Sequence, residues 1–153
     1  TMTSAGATPL ALHVGALGQV VAFECADEAT LRSLAAVWSR CVVPQGGEPL
    51  STVSVDPDWA GPLLLVKVIS LALGHANDDP ADPSDKMLPL YGAAVAHPDG
   101  RVIAMVGAST PLVTETAVLL AGTGFGFVSG NLVSLAEGGG VWPFPAPVPT
   151  QVR

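Results

Sequence analysis

From Leu10 onward the first pattern is one of alternation. Leu10, Leu12 and Val14 share one face of an extended run, Gly15 to Gly18 interrupt it, and Gln19 to Cys25 resume it, which predicts a hairpin-like pair of strands. His13 falls on the face opposite Leu12. The period then lengthens. Leu31, Leu34, Ala35, Trp38, Cys41 and Val42 recur at helical spacing behind Asp27, a good N-cap, and Glu28, whose charge suits a first turn. A helix is therefore predicted from Glu28 to Val42, stopping before Pro44, with Trp38 as core packing and Arg32 and Arg40 as solvated groups. Pro44 to Pro49 reads as a turn, Leu50 to Val55 as a short alternating strand, and Asp56 to Gly61 as a breaker-rich connection.

Pro62 suits a helix start, and Leu63 to Leu73 is apolar almost all round. The run is too long for a typical strand, so it predicts a buried helix, with a strand as the rival because Val and Ile also favour sheets. Asp78, Asp79, Pro80, Asp82 and Pro83 break any regular element between Ala76 and Ser84. Asp85 extends the acidic loop, but the prolines and the lack of a closing Glu spoil an EF-hand register, leaving a plain solvated loop.

Leu88 to Ala96 and Arg101 to Val106 read as strands of a β-hairpin turned by His97, Pro98, Asp99 and Gly100. A helix follows from Thr114 to Ala121, stopped by Gly122 or Gly124, and Phe125 to Val128 and Leu132 to Leu135 add strand material before a turn at Gly138 to Gly140. Pro143, Pro145, Pro147 and Pro149 forbid a helix at the end of the chain and favour an extended tail. The expected organisation is a small, polar N-terminus over 1–8 outside the fold, one globular domain over 9–141, and a Pro-rich tail over 142–153. The expected fold class is α/β, with α+β as the alternative: a central mixed sheet holding Arg101 to Val106 inside it, packed against the helices at Glu28–Val42 and Thr114–Ala121.

Composition narrows the function. With 153 residues, 49% of them hydrophobic and only 12% charged, the chain is one domain's worth and is poorly suited to disorder. A net charge of −7 with only six Lys and Arg repels a phosphate backbone, so nucleic acid is excluded as a partner. The longest apolar stretch, Gly61 to Leu73, is interrupted by Lys67 and falls short of the roughly 20 residues that span a bilayer. No basic region precedes an apolar run at the N-terminus, so no secretory signal is expected and the cytoplasm is the expected compartment. Cys25 and Cys41 lack a Cys-x-x-Cys spacing or a His cluster, and read as buried free thiols unless the chain meets an oxidising compartment. His75 and His97 have no evident carboxylate to orient them, and Ser109 lacks a nucleophile-elbow pattern.

The chemistry-bearing segment is Val106 to Val118. An apolar strand runs into Gly107, and a helical segment follows from Thr114, which is the strand–loop–helix setting of a phosphate-binding loop. Such a loop aims backbone N–H groups at anionic oxygens, uses glycines where side chains would obstruct, and adds a lysine. Here Pro111 deletes one donor, while Leu112 and Val113 place branched apolar groups where triphosphate charge would have to be desolvated without a cation. Losing charge-assisted hydrogen bonds at roughly 1.5–3 kcal/mol apiece weakens such binding by orders of magnitude.

From Leu90 to Pro149 the chain resembles the HPr kinase/phosphorylase family and its ATP-binding relatives, among them kinase-like proteins of bacterial biosynthetic clusters. The resemblance places Gly107 and Ser109 at the start of the loop and Thr114 at its magnesium-binding Ser/Thr, and Glu115-Thr116-Ala117 continues much as in the family. The later loop glycines fall on Thr110 and Leu112, the phosphate-reaching lysine on Val113, the acidic pair on Gly130 and Asn131, the turn glycine on Gly124 and the family's histidine on Tyr91. It implies a partial P-loop kinase-like core with a degenerate loop at Gly107, Ser109, Thr110, Val113 and Thr114. No catalytic residue, cofactor or metal is expected.

The resembling proteins continue beyond the Pro-rich segment with more strands and helices. If Arg153 is the natural end, the sheet containing Arg101 to Val106 exposes an apolar edge or face that a homodimer or another protein would cover. The leading expectation is therefore a non-catalytic binding or regulatory protein, a pseudoenzyme of the family. The alternatives are a phosphotransferase or NTPase completed by a partner chain, and a small-ligand binder whose pocket uses Trp59, Trp142, Phe144 or Tyr91.

Overall fold

The computed structural model describes residues 10–55, 61–78 and 86–148. The readings of 1–8, of the connection at 56–60 and of most of the acidic loop lie outside them.

Strands β1 (Leu10–Ala16) and β2 (Gln19–Cys25) form the predicted antiparallel hairpin, with Ala16 opposite Gln19. Leu17 and Gly18 both adopt positive φ, 51° and 78°, as a tight two-residue turn requires. Gly18 has a second reason to lack a side chain, since a Cβ there would lie 2.8 Å from the Trp142 ring. Helix α1 (Glu28–Val37) starts where expected: Asp27 accepts from the Thr30 N–H at 2.8 Å, and the Thr30 hydroxyl donates to its other oxygen at 2.8 Å. The helix ends five residues before the predicted Val42. Beyond Trp38 the backbone is claimed by β1 instead, through Gly15 N–H to Cys41 O at 2.7 Å and Val43 N–H to His13 O at 3.0 Å. Strand β3 (Ser51–Val55) then joins β2 in parallel, giving a three-stranded mixed sheet of order β1-β2-β3.

Helix α2 (Gly61–Asp78) is longer than the predicted Leu63–Leu73 and is not buried all round. Leu64, Val68 and Ala72 face the core at helical spacing, whereas Leu63 and Val66 are exposed. The second sheet is built on the long strand β4 (Met87–Ala96). Its first half pairs with β7 (Leu132–Ala136). Its second half pairs with β5 (Val102–Val106) on one side and β6 (Gly126–Ser129) on the other, and β8 (Val141–Trp142) follows β7. Helix α3 (Thr110–Gly122) connects β5 to β6.

The class is α/β or α+β as expected, with two sheets where one central sheet was predicted. One apolar core joins both: Val14, Val21 and Phe23 from the first sheet meet Leu64 and Val68 of α2, and Met87 and Leu132 of the second. The Pro-rich segment is extended as predicted, yet it does not lie outside the fold over its described length. Phe144 and Ala146 are buried, and Trp38 sits between Phe23 (5.3 Å, edge-on) and Phe144 (6.4 Å). No helix among the described residues is long and apolar enough to cross a membrane.

Candidate functional site

The strand–loop–helix expected of a phosphate loop is present, but the loop is wound up. Helix α3 begins at Thr110, four residues before the predicted Thr114, with Ser109 as an extended N-cap (φ −123°) and Val113 N–H already bonded to Ser109 O at 3.1 Å. Pro111 favours this early start. Its missing N–H falls in the first turn, where that donor has no intrahelical partner anyway, and its fixed φ is preset for the helix. Only Gly107, Ala108 and Ser109 remain between β5 and α3, too short a stretch to curl around a polyphosphate.

The position where the resemblance would call for a lysine is taken up by packing. Val113 joins the cluster of Ala93, Val95 and Ala117, and its Cγ2 lies 3.2 Å from where a Cβ on Gly107 would sit. Thr114, the expected metal-binding hydroxyl, is buried and bonded to Asn131: it accepts from the Asn131 N–H at 3.4 Å and donates to its Oδ1 at 3.5 Å. Asn131 holds a positive φ of 66°, where its side-chain amide is tolerated better than most. Its carbonyl accepts from Gly92 N–H at 3.3 Å, which stitches the β6–β7 break onto β4. Gly130 is enclosed; a Cβ there would stand 3.0 Å from Phe127 Cζ and 3.2 Å from Thr114 Cγ2. The fold thus brings Thr114, Gly130 and Asn131 together, while Val113 turns to the core.

Beside them lies a cleft of about 570 Å³ between α2 and the start of α3, floored by β4 and β7. Leu65, Ile69 and Leu73 form one wall, Pro89, Tyr91 and Leu132 the floor, and Thr110, Asn131 and Ser70 are the polar groups at its margin. No lining residue is charged. Tyr91 is 77% exposed at its mouth, and among the described aromatic residues proposed for a ligand pocket it is the one so placed. Phe144 is core, Trp142 covers Gly18, and Trp59 lies outside the described residues. The α2 wall was not singled out from sequence; its signal was the second apolar stripe at Leu65, Ile69 and Leu73 beside the buried one at Leu64, Val68 and Ala72.

Strand β5 is not inside the sheet, contrary to expectation, but at its edge. The far side of β4 is already taken by β6 and β7, and no described strand pairs with the outer side of β5. Val102, Ile103 and Val106 are 41%, 45% and 58% exposed. The direction of its backbone groups follows from the hairpin. His97 N–H bonds Arg101 O at 2.8 Å, so by antiparallel alternation Ile103 and Met105 point their N–H and C=O groups at β4 and Val102, Ala104 and Val106 point theirs outward. The opposite edge is blunted, since β8 has two residues and Pro143 follows.

Two other groups bear on catalysis. His97 does have a carboxylate, which the sequence reading missed: Asp99 Oδ1 lies 2.8 Å from Nδ1. The pair sits on the exposed hairpin turn and also engages Arg101, whose Nη2 is 2.6 Å from Asp99 Oδ2. Arg101 is the main cause, and His97 a lesser one, of the Asp99 carboxyl being held below its usual range. Cys25 and Cys41 are buried free thiols; burial pushes Cys41 up to about 11 and, together with the nearby Asp27 charge, raises Cys25 as well. Neither is a thiolate nucleophile at neutral pH. Among the described residues no cluster of three His, Cys, Asp or Glu side chains could hold a metal.

Compared with known proteins, the chain matches no protein-family model, no curated protein and no solved structure.

Proposed function

We propose that the chain is a non-catalytic protein- or peptide-binding subunit with a regulatory role, a degenerate relative of the HPr kinase-like proteins, and that β5 is its docking strand. The observation that carries this is an apolar edge that no described strand pairs: an extended ligand adds to such an edge through main-chain hydrogen bonds, with alternate side chains supplying selectivity. The wound loop, the packed Val113 and the uncharged cleft support the non-catalytic half, because nothing there compensates the charge of a triphosphate. Buried free thiols suit a reducing, cytoplasmic setting, which completes the reading.

Titration calorimetry with magnesium and ATP tests it. No binding in the micromolar range and no phosphate release are expected; micromolar binding accompanied by phosphate transfer would overturn it. A second reading, a site for a small apolar ligand, is favoured by the cleft at Tyr91, whose volume and lining suit such molecules. The two readings separate on Tyr91→Ala, which empties the cleft mouth and leaves the β5 edge intact.

A further inference from the structure

Resting on the reading of β5 as a docking strand, we infer that its partner is a second copy of this chain, paired antiparallel about a two-fold axis through Ala104. The outward-facing backbone groups belong to Val102, Ala104 and Val106, which are symmetric about Ala104. In that register Val102 of one copy faces Val106 of the other and Ala104 faces itself. Every outward N–H and C=O of both strands then finds a partner, and any other symmetric register leaves some unpaired. A residue on the axis must tolerate its own twin about 5.5 Å away, Cα to Cα, and Ala104 is the smallest side chain in the strand.

No like charge at the junction itself opposes a second copy. Val102 to Val106 carries no charged side chain, and the nearest charges, Asp99 and Arg101, neutralise each other within one copy, so the chain's −7 is not concentrated at the junction. A five-residue ladder alone falls well short of the roughly 800 Å² per partner of a stable interface, so the contact has to spread onto side chains beside it. They are available. Met105 packs against the cluster of Ala93, Val95 and Ala117, the last of them on α3, which puts α3 on the face of Ile103 and Met105. An axis perpendicular to the sheet keeps the two α3 helices on one common face, where Leu112 and Leu119 are 62% and 72% exposed. The product is one continuous sheet across two molecules.

Sedimentation velocity over a range of concentrations tests this, with Ala104→Pro and Ala104→Lys as variants. Both changes fall on an exposed position whose backbone groups face away from β4, so the β4–β5 ladder is spared. The wild type is expected at the mass of two chains, and each variant at the mass of one with an unchanged circular dichroism spectrum. A monomeric wild type, or variants that stay dimeric, overturns the pairing. Hydrogen exchange on the wild type alone keeps the inference testable if a variant misfolds: the amides of Val102, Ala104 and Val106 must slow at least about tenfold between dilute and concentrated protein. The same data separate the two claims. A monomer in which these amides exchange freely removes the second copy but leaves an open docking edge, whereas a monomer in which they are already protected removes the docking strand as well.

Discussion

At the scale of single residues, the positions that the proposed relationship reads as a degenerate loop are committed to packing. Gly130, which the proposed relationship sets at one position of an acidic pair, is enclosed by Phe127, Thr114 and Val148. Gly130→Asp therefore introduces a carboxylate into a buried, uncompensated position. It should destabilise the protein by about 3 kcal/mol or more in urea denaturation and create no ATP affinity, even combined with Val113→Lys. A stable, ATP-binding double variant would show that the loop is merely unfurnished. Asp27 gives a pH-dependent prediction. The Thr30 N–H, and then the Thr30 hydroxyl, hold its carboxyl below the ordinary Asp range. Because the folded value is the lower one, the stabilisation is present above the unfolded pKa of about 3.9 and is lost as pH falls through the folded value. Asp27→Ala should lower the melting temperature by a few degrees near neutral pH. The gap from wild type should close in acid; a gap that persists below the folded pKa assigns the effect to something other than the ionised cap.

At the scale of elements, the informative places are those where tertiary contacts overrule local preference. Phe144 follows a proline and precedes another, a context that marks an extended tail, yet it fills space against Trp38 and is wholly buried. Phe144→Ala should thus cost about 3–5 kcal/mol, the loss typical of a core aromatic; a change below 1 kcal/mol in chemical denaturation would return residues 142–148 to the status of a tail. Gly92 makes a similar case within β4. A side chain there would collide with the Met105 carbonyl oxygen, so Gly92→Ala should loosen the β4–β5 hairpin, seen as faster amide exchange at Ile103 and Met105. The alternation and helical periods were enough to place β1 to β3 and α1, because each buries one face and its period records that face, whereas α2 rested on the length of its apolar run and β8 was not foreseen. Boundaries were set elsewhere. Helix α1 loses its last turn to hydrogen bonds with β1, a partner nearly thirty residues away in sequence, and α3 gains a turn from Pro111, which loop-like composition disguised. The cleft was out of reach for the same reason: its walls, α2 and the start of α3, meet only once both lie on the sheet.

At the scale of the whole molecule, the question is how a chain of net charge −7 associates with itself. Each copy repels the other at long range, and the β5 edge offers no opposite charge to offset this, only backbone hydrogen bonds and apolar side chains. Salt then acts in one direction. At 0.1 M the Debye length is about 10 Å, so charges distributed over the two bodies are largely screened, while an apolar ladder loses nothing. Raising salt from about 0.01 M, where the Debye length is roughly 30 Å, should therefore tighten the dimer, by a factor of several in the dissociation constant. A complex held by interfacial ion pairs behaves in the opposite sense and weakens as salt is added. Sedimentation equilibrium at a series of NaCl concentrations distinguishes the two. Dissociation promoted by salt would mean that charged residues outside Val102–Val106 hold the copies together, and would move the interface away from Ala104.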